Sequence, residues 1–377
     1  MSEAASSAVS TVLHLKVYPF PLGFVVADNV APPEPVRRPA PAFAMFKNLI
    51  VFRIPADWVP PPLATLDAAL AGSTFVPCSA SQPMSLGWVP PRGQPHAPLV
   101  ESVDGGRHWL LRLMVERKML PASVVKRRVE EMAAQIEQAE GRKPGKKERG
   151  ELKDQATLEL LPMAFTRQSA LQLWFDLEQR LLCVDAGSAK AADEALSLLV
   201  RTLDGLALAP LHTAQSPAQV MSDWLVSGEP PVAFSVDREC ELKSADEMKS
   251  VVRYARHPLD IEEVRAHIAQ GKRPTRLAIT WGGRVSFVLT EAGTLKKLDF
   301  LDGVFETQGT AQGEDEFDAD AAITTGELGR LLPELIDALG GEQLPGNITG
   351  SEGGSPAAVP GAPAAPLPTL ANDGPPF

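Results

Sequence analysis

Apolar positions in this chain recur mainly with a period of two. The run Phe46 to Ile54 (FKNLIVFRI) reads as a strand, and so do Trp109 to Val115, Ala170 to Leu177, Arg180 to Asp185 and Val232 to Val236. Ser250 to Tyr254, Arg276 to Trp281, Val285 to Thr290 and Leu295 to Leu301 complete the set. Tight polar or glycine turns, Trp281-Gly282-Gly283-Arg284 and Glu178-Gln179, join neighbouring runs as β-hairpins. A period near 3.6 predicts helices over Ala189 to Leu203, Pro217 to Val226, Ile261 to Gln270 and Gly326 to Leu339. Hairpins outnumber β-α-β alternations, which predicts an α+β fold with mixed or antiparallel sheets.

The most distinctive local unit lies between Pro121 and Leu161. Pro121 suits a helix start, and Val125, Val129, Met132 and Ile136 fall on one face. Gly141-Arg142-Lys143-Pro144-Gly145 breaks that helix; a second from about Lys147 aligns Leu152, Ala156 and Leu160. The expectation is a protruding helical hairpin. From Arg112 to Lys153 the chain has twelve bases and seven acids, so the projection is expected to be basic. Pro162 should end the second helix, leaving Phe165 either as a core aromatic or as an anchor for a partner subunit.

Charge changes the picture more than composition does. The 377 residues carry 36 Lys and Arg against 47 Asp and Glu, a net charge of −11 that argues at first against nucleic acid. The excess is local. Residues 299–343 hold twelve acids and one base, while residues 45–298 hold 32 bases and 30 acids. The acidic run Glu314 to Asp320 lacks the spacing of a calcium loop and is expected to be a solvated loop. Residues 1–44 contain linker-like Pro and Ala runs and the stretch from about 344 to 377 is rich in Pro, Gly and Ala, so both ends are expected to be appendages to a globular region 45–343, with Met45 an alternative start. No apolar run approaches the roughly 18 residues of a membrane span, and three scattered cysteines without C-x-x-C spacing fit a reduced, cytoplasmic chain.

Catalytic chemistry is thinly represented. The glycines around Lys146 have the wrong spacing for a phosphate-cradling loop, and Ser123-x-x-Lys126 lacks the companion motif of a serine-lysine enzyme. Glu241-Leu242-Lys243 with Asp237 is the one pattern suggestive of a metal-dependent nuclease, and the six histidines form no ligand pair. No cofactor or metal is therefore expected. Basic residues offer more: Arg117, Lys118, Lys126, Arg127, Arg128, Lys143, Lys146 and Lys147 lie on and beside the hairpin. Arg253, Arg256, Lys272, Arg273 and Arg276 surround the helix near 261–270, as a second wall of one groove. As phosphate contacts such residues give salt-sensitive, sequence-independent affinity, and no base-reading set of Arg, Asn and Gln is present.

Several separated motifs, in order, resemble one family. They are Met45-Phe46-Lys47-Asn48-Leu49, Phe75-Val76-Pro77-Cys78 with Leu86-Gly87-Trp88-Val89-Pro90-Pro91, and the block Leu160 to Arg167. Val184 to Lys190, Leu277 to Trp281, Phe317-Asp318-Ala319-Asp320 and Thr325-Gly326-Glu327-Leu328 extend the match over about residues 45–343. The chain resembles RdgC, the bacterial recombination-associated DNA-binding proteins. The resemblance implies a ring-shaped homodimer in the cytoplasm and nucleoid that encircles duplex DNA without sequence preference, restrains RecA-promoted strand exchange, and is not an enzyme. It leaves single-stranded DNA open as a further partner. By motif position Phe165 corresponds to the aromatic that closes the ring at its gate, and Arg256 and His257 fall on the hinge side. His257 stands where the family pattern has an uncharged polar amide. A metal-dependent nuclease and a protein-interaction scaffold in replication or recombination are the alternative functions.

Overall fold

The computed structural model describes residues 46–246, 248–301, 303–305 and 314–343. Expectations for residues 1–44 and for the C-terminal tail lie outside the described residues. Twelve strands form one sheet with antiparallel pairing between all its strands: β1 (Asn48–Arg53), β2 (Met84–Val89), β3 (Val100–Val103), β4 (His108–Met119), β5 (Phe165–Asp176), β6 (Leu181–Val184), β7 (Ala209–Pro210), β8 (Phe234–Ser244), β9 (Val251–Ala255), β10 (Lys272–Trp281), β11 (Val285–Thr290) and β12 (Leu295–Phe300). The helices are α1 (Leu63–Ala71), α2 (Ala122–Glu140), α3 (Lys146–Leu160), α4 (Ala189–Thr202), α5 (Pro217–Ser227), α6 (Glu262–Ala269) and α7 (Glu314–Ala338).

The order along the sheet is β2-β4-β5-β6-β1-β12-β11-β10-β8-β9, with β3 on β4 and β7 on β1. β1 joins the two halves: Asn48 and Leu49 pair with β12, whereas Ile50 to Arg53 pair with β6. One apolar cluster runs through both halves, from Leu110 and Trp174 to Leu277 and Ile279, and includes residues of α5, α6 and α7. A second packs α1 and α4 against the first half through Leu66, Leu70, Ala192, Ala195 and Leu199. Among the described residues neither helix group packs on the other face of the second half, β8 to β12.

Helix α7 ties the halves together. Arg284 donates to the buried Glu327 at 2.6 and 2.8 Å, Arg330 reaches the same carboxylate, and Trp281 Nε1 donates to Glu334 at 2.7 Å. On the first half, Gln179 donates to the Gly329 carbonyl and Arg92 pairs with Asp318 while lying over the Phe317 ring. The acidic run Glu314 to Asp320 is thus the first two turns of α7 rather than a solvated loop, with Phe317 and Asp320 buried. Acids suit a helix N-terminus, where they face the positive end of the helix dipole.

Strand and helix positions otherwise follow the periodicity, with extensions. β4 and β5 are longer than expected because their twelve-residue ladder runs out to Met119 opposite Phe165. α1, β2 and β3 were not legible as elements. Val125, Met132, Ala133, Leu152 and Ala156 form a third, separate cluster between α2 and α3, as the spacing of the first two predicts. Gly141, at φ +68°, caps α2 in the left-handed region that glycine occupies without strain.

Candidate nucleic-acid interface

The charged surface of α2 and α3 is more balanced than the sequence window suggests. The two helices with their linker end at Leu160, so Asp154 and Glu159 belong to them, and residues 122–160 contain nine bases and eight acids. Many of the bases are paired. Lys126 faces Glu130 and Arg127 faces Glu131 one turn on, at 3.8 and 3.9 Å. Arg128 donates to Glu159 and Glu131, Lys143 lies 3.8 Å from Glu137, and Lys147 lies 4.0 Å from Glu151. These are exposed pairs of little energetic weight, and a polyanion can compete for the cations. Lys146 and Arg149 are exposed and unpaired among the described residues. At the base of the helices Arg117 is held by Glu194, and Lys118 Nζ donates to the Ala80 and Leu161 carbonyls at 2.7 and 2.9 Å.

Phe165 is not a core aromatic. It opens β5 with 87% of its surface exposed, and Met163, Leu158 and Met119 beside it in sequence or ladder are 74, 63 and 51% exposed. Pro162 is responsible: it ends α3 in a single tight turn, after which the chain enters β5 with Phe165 outside the α2–α3 cluster.

The second basic set divides between locations. Lys272 and Arg273 line a hollow with Gln219, Asp223 and Ile268 of α5 and α6, and Lys272 Nζ lies 3.2 Å from His267 Nδ1. Arg253 and Arg276 instead flank Glu241, being its register partners on β9 and β10. Arg256, at φ +56°, and His257 form the exposed turn after β9; His257 Nδ1 lies 2.8 Å from the Pro258 carbonyl oxygen. In strand order β6, β1, β12 and β11 separate this set from β4 and β5, which carry α2 and α3. Within one chain the two basic sets therefore lie on strands separated by four others.

Glu241 is committed to internal partners. Arg253 Nε donates to it at 2.6 Å and Thr275 Oγ1 at 2.8 Å. Burial alone would raise its carboxyl, but those two hydrogen bonds together with the charges of Arg253 and Arg276 outweigh it and hold the group below the usual carboxylate range. Asp237 accepts from Thr280 Oγ1 at 2.8 Å. Among the described residues no three His, Cys, Asp or Glu side chains converge as a metal site. Burial pushes the Cys240 thiol up to about 12 and the Cys183 thiol well above its ordinary value, so neither is a ready nucleophile. No helix of the described residues is long and apolar enough to cross a membrane.

The geometry defines an α+β chain on one antiparallel sheet, carrying dispersed exposed cations and an exposed aromatic. A family model described as "Putative exonuclease, RdgC" matches residues 44–342. Curated relatives, each called recombination-associated protein RdgC, include those of Dechloromonas aromatica, 46% identical over 302 residues, and Cupriavidus pinatubonensis, 45% over 300. The protein of Herminiimonas arsenicoxydans is 44% identical over 300 residues. Each alignment covers 79% of this chain and 98 or 99% of the relative. The chain belongs to the RdgC family of recombination-associated proteins.

Proposed function

We propose that this protein binds duplex DNA without sequence preference, encloses it as a ring-shaped homodimer, and thereby restrains strand exchange by RecA in the bacterial nucleoid. Family membership over the whole described region carries this reading. The exposed cations support it, since a ring that surrounds the duplex needs phosphate attraction rather than base contacts. The apolar group at Phe165 supports it in a second way: an exposed aromatic, with exposed Met119 opposite it in the ladder and exposed Met163 two residues before it, fits insertion into a neighbouring subunit as the gate contact, while Arg256 and His257 lie at the hinge side. The α2–α3 unit acts as a basic projection once the exposed Glu partners yield to phosphate.

The protein acts by occupying DNA, not by cutting it. The family description names an exonuclease, and Glu241, Lys243 and Asp237 are the residues that would serve one, yet Glu241 and Asp237 are held by neighbouring side chains. Filter binding of unrelated duplexes across a salt series tests the proposal. Affinity should fall steeply, by orders of magnitude between about 50 and 200 mM salt, and hardly change with sequence. Plasmid incubated with the protein and magnesium should remain uncut. A flat salt response would falsify the electrostatic account, and nicking would revive the nuclease.

A further inference from the structure

Alternation along the strands places a second set of cations on the face of β8 to β12 that α5, α6 and α7 do not cover. On β8, Cys240 and Leu242 join the core, so Glu241 and Lys243 point the other way. On β10 the same logic turns Arg276 outward between Leu277 and the buried Thr275 at a bulge, and Lys296 follows Leu295 on β12. Lys243, Arg276 and Lys296 meet in a cleft of about 290 Å³ with Thr275 and Thr290 in its floor. Its far wall is Gly187, Ser188 and Ala189, where α4 begins over the first half of the sheet.

The charges in this cleft are unbalanced. Lys243 and Arg276 make no hydrogen bond or ion pair among the described residues, and Lys296 Nζ donates only to the Gly187 carbonyl, at 3.1 Å. Of the two carboxylates in the lining, Glu241 is paired with Arg253 and also feels the charge of Arg276, and Glu291 is exposed, so three cations face two carboxylates, one of them already paired outside the cleft. Three cations on three different strands, held by a rigid ladder and facing a pocket too small for a base pair, match a compact tetrahedral anion.

We propose that this cleft seats one phosphodiester of the DNA backbone, with Lys243, Arg276 and Lys296 as its contacts. The proposal rests on the DNA-binding reading above and adds a fixed point of contact to it. That point lies at the join of the two half-sheets, where Gly187 to Ala189 face β8 to β12 across the cleft.

The full-length protein and its Lys243→Gln/Arg276→Gln variant test the seat; both side chains are exposed, so the fold should survive. Thermal melting is compared in sodium phosphate and sodium chloride at equal ionic strength. Phosphate should raise the melting temperature of the wild type above its value in chloride, and the variant should lose that difference. On covalently closed circular duplex the variant should bind about tenfold more weakly, with a shallower salt dependence by about one to two phosphate contacts. An equal phosphate response in both proteins would overturn the proposal, as would a loss confined to linear duplex bearing 5′-phosphates. If the wild type retained no duplex at all, the DNA-binding reading would fail, and the phosphate melts would still decide the seat.

Discussion

Gly87 shows how one residue fixes a local path. A Cβ at this position would lie 2.5 Å from the backbone N and Cα of Phe75. The close approach exists because Trp88 pairs with the segment Ser73 to Phe75 in a parallel bridge at Thr74: Phe75 N–H donates to the Trp88 carbonyl and Trp88 N–H to that of Ser73. Gly87→Ala must push this strand away from β2, and a loss of about 2–4 kcal/mol is expected in urea unfolding, through backbone strain and displacement of the fully buried Trp88. His108 gives a second test at this scale. Burial lowers its pKa against the pull of Asp176, and Trp174 Nε1 donates to His108 Nδ1 at 3.2 Å, a bond that needs the neutral ring. With the folded value depressed, the unfolded chain takes up the proton first. Stability is then full above the ordinary histidine value near 6.5 and declines as pH falls through it. Urea midpoints at pH 7.5 and 6 should therefore drop more for the wild type than for His108→Gln.

At the scale of elements, the proposed gate contact lies at the open end of the β4–β5 ladder, which the α2–α3 unit connects. Phe165→Ala should leave monomer stability within about 0.5 kcal/mol, because the ring is exposed, while weakening dimerisation measured by sedimentation at low protein concentration. Unchanged dimer affinity would remove Phe165 from the interface. The sequence foretells these elements unevenly. Val125 and Met132 announce the face that α3 covers, and the turns at Glu178-Gln179 and Gly282-Gly283 announce their hairpins. α1 follows Pro60-Pro61-Pro62 and buries only Leu66 and Leu70, too short a stripe to register as periodic. β2 contains Gly87 and lies between proline-rich stretches, so its composition argues for a loop although its pairing with β4 makes it a strand. The first turns of α7 read as loop because a run of acids masks Phe317, whose partner Arg92 is over two hundred residues distant.

Over the whole molecule, cross-strand register creates groupings that no local pattern contains. Lys243, Arg276 and Lys296 lie on three strands and meet through the pairing of β8, β10, β11 and β12. The net charge of −11 likewise misleads until its excess is placed: residues 299–343 hold twelve acids and one base, and α7 sets Glu327 against Arg284 and Arg330, Asp318 against Arg92 and Glu334 against the Trp281 N–H. Those contacts clasp the two half-sheets. Encirclement is the central claim, and it separates from simple electrostatic adhesion once salt removes the phosphate attraction. The direct measurement is the lifetime of the protein on a covalently closed circular duplex against the same duplex linearised, both challenged with about 0.5 M salt, where screening extends over only a few ångströms. The account predicts persistence on the circle and rapid loss from the free ends of the linear form. Equally rapid loss from both would contradict it.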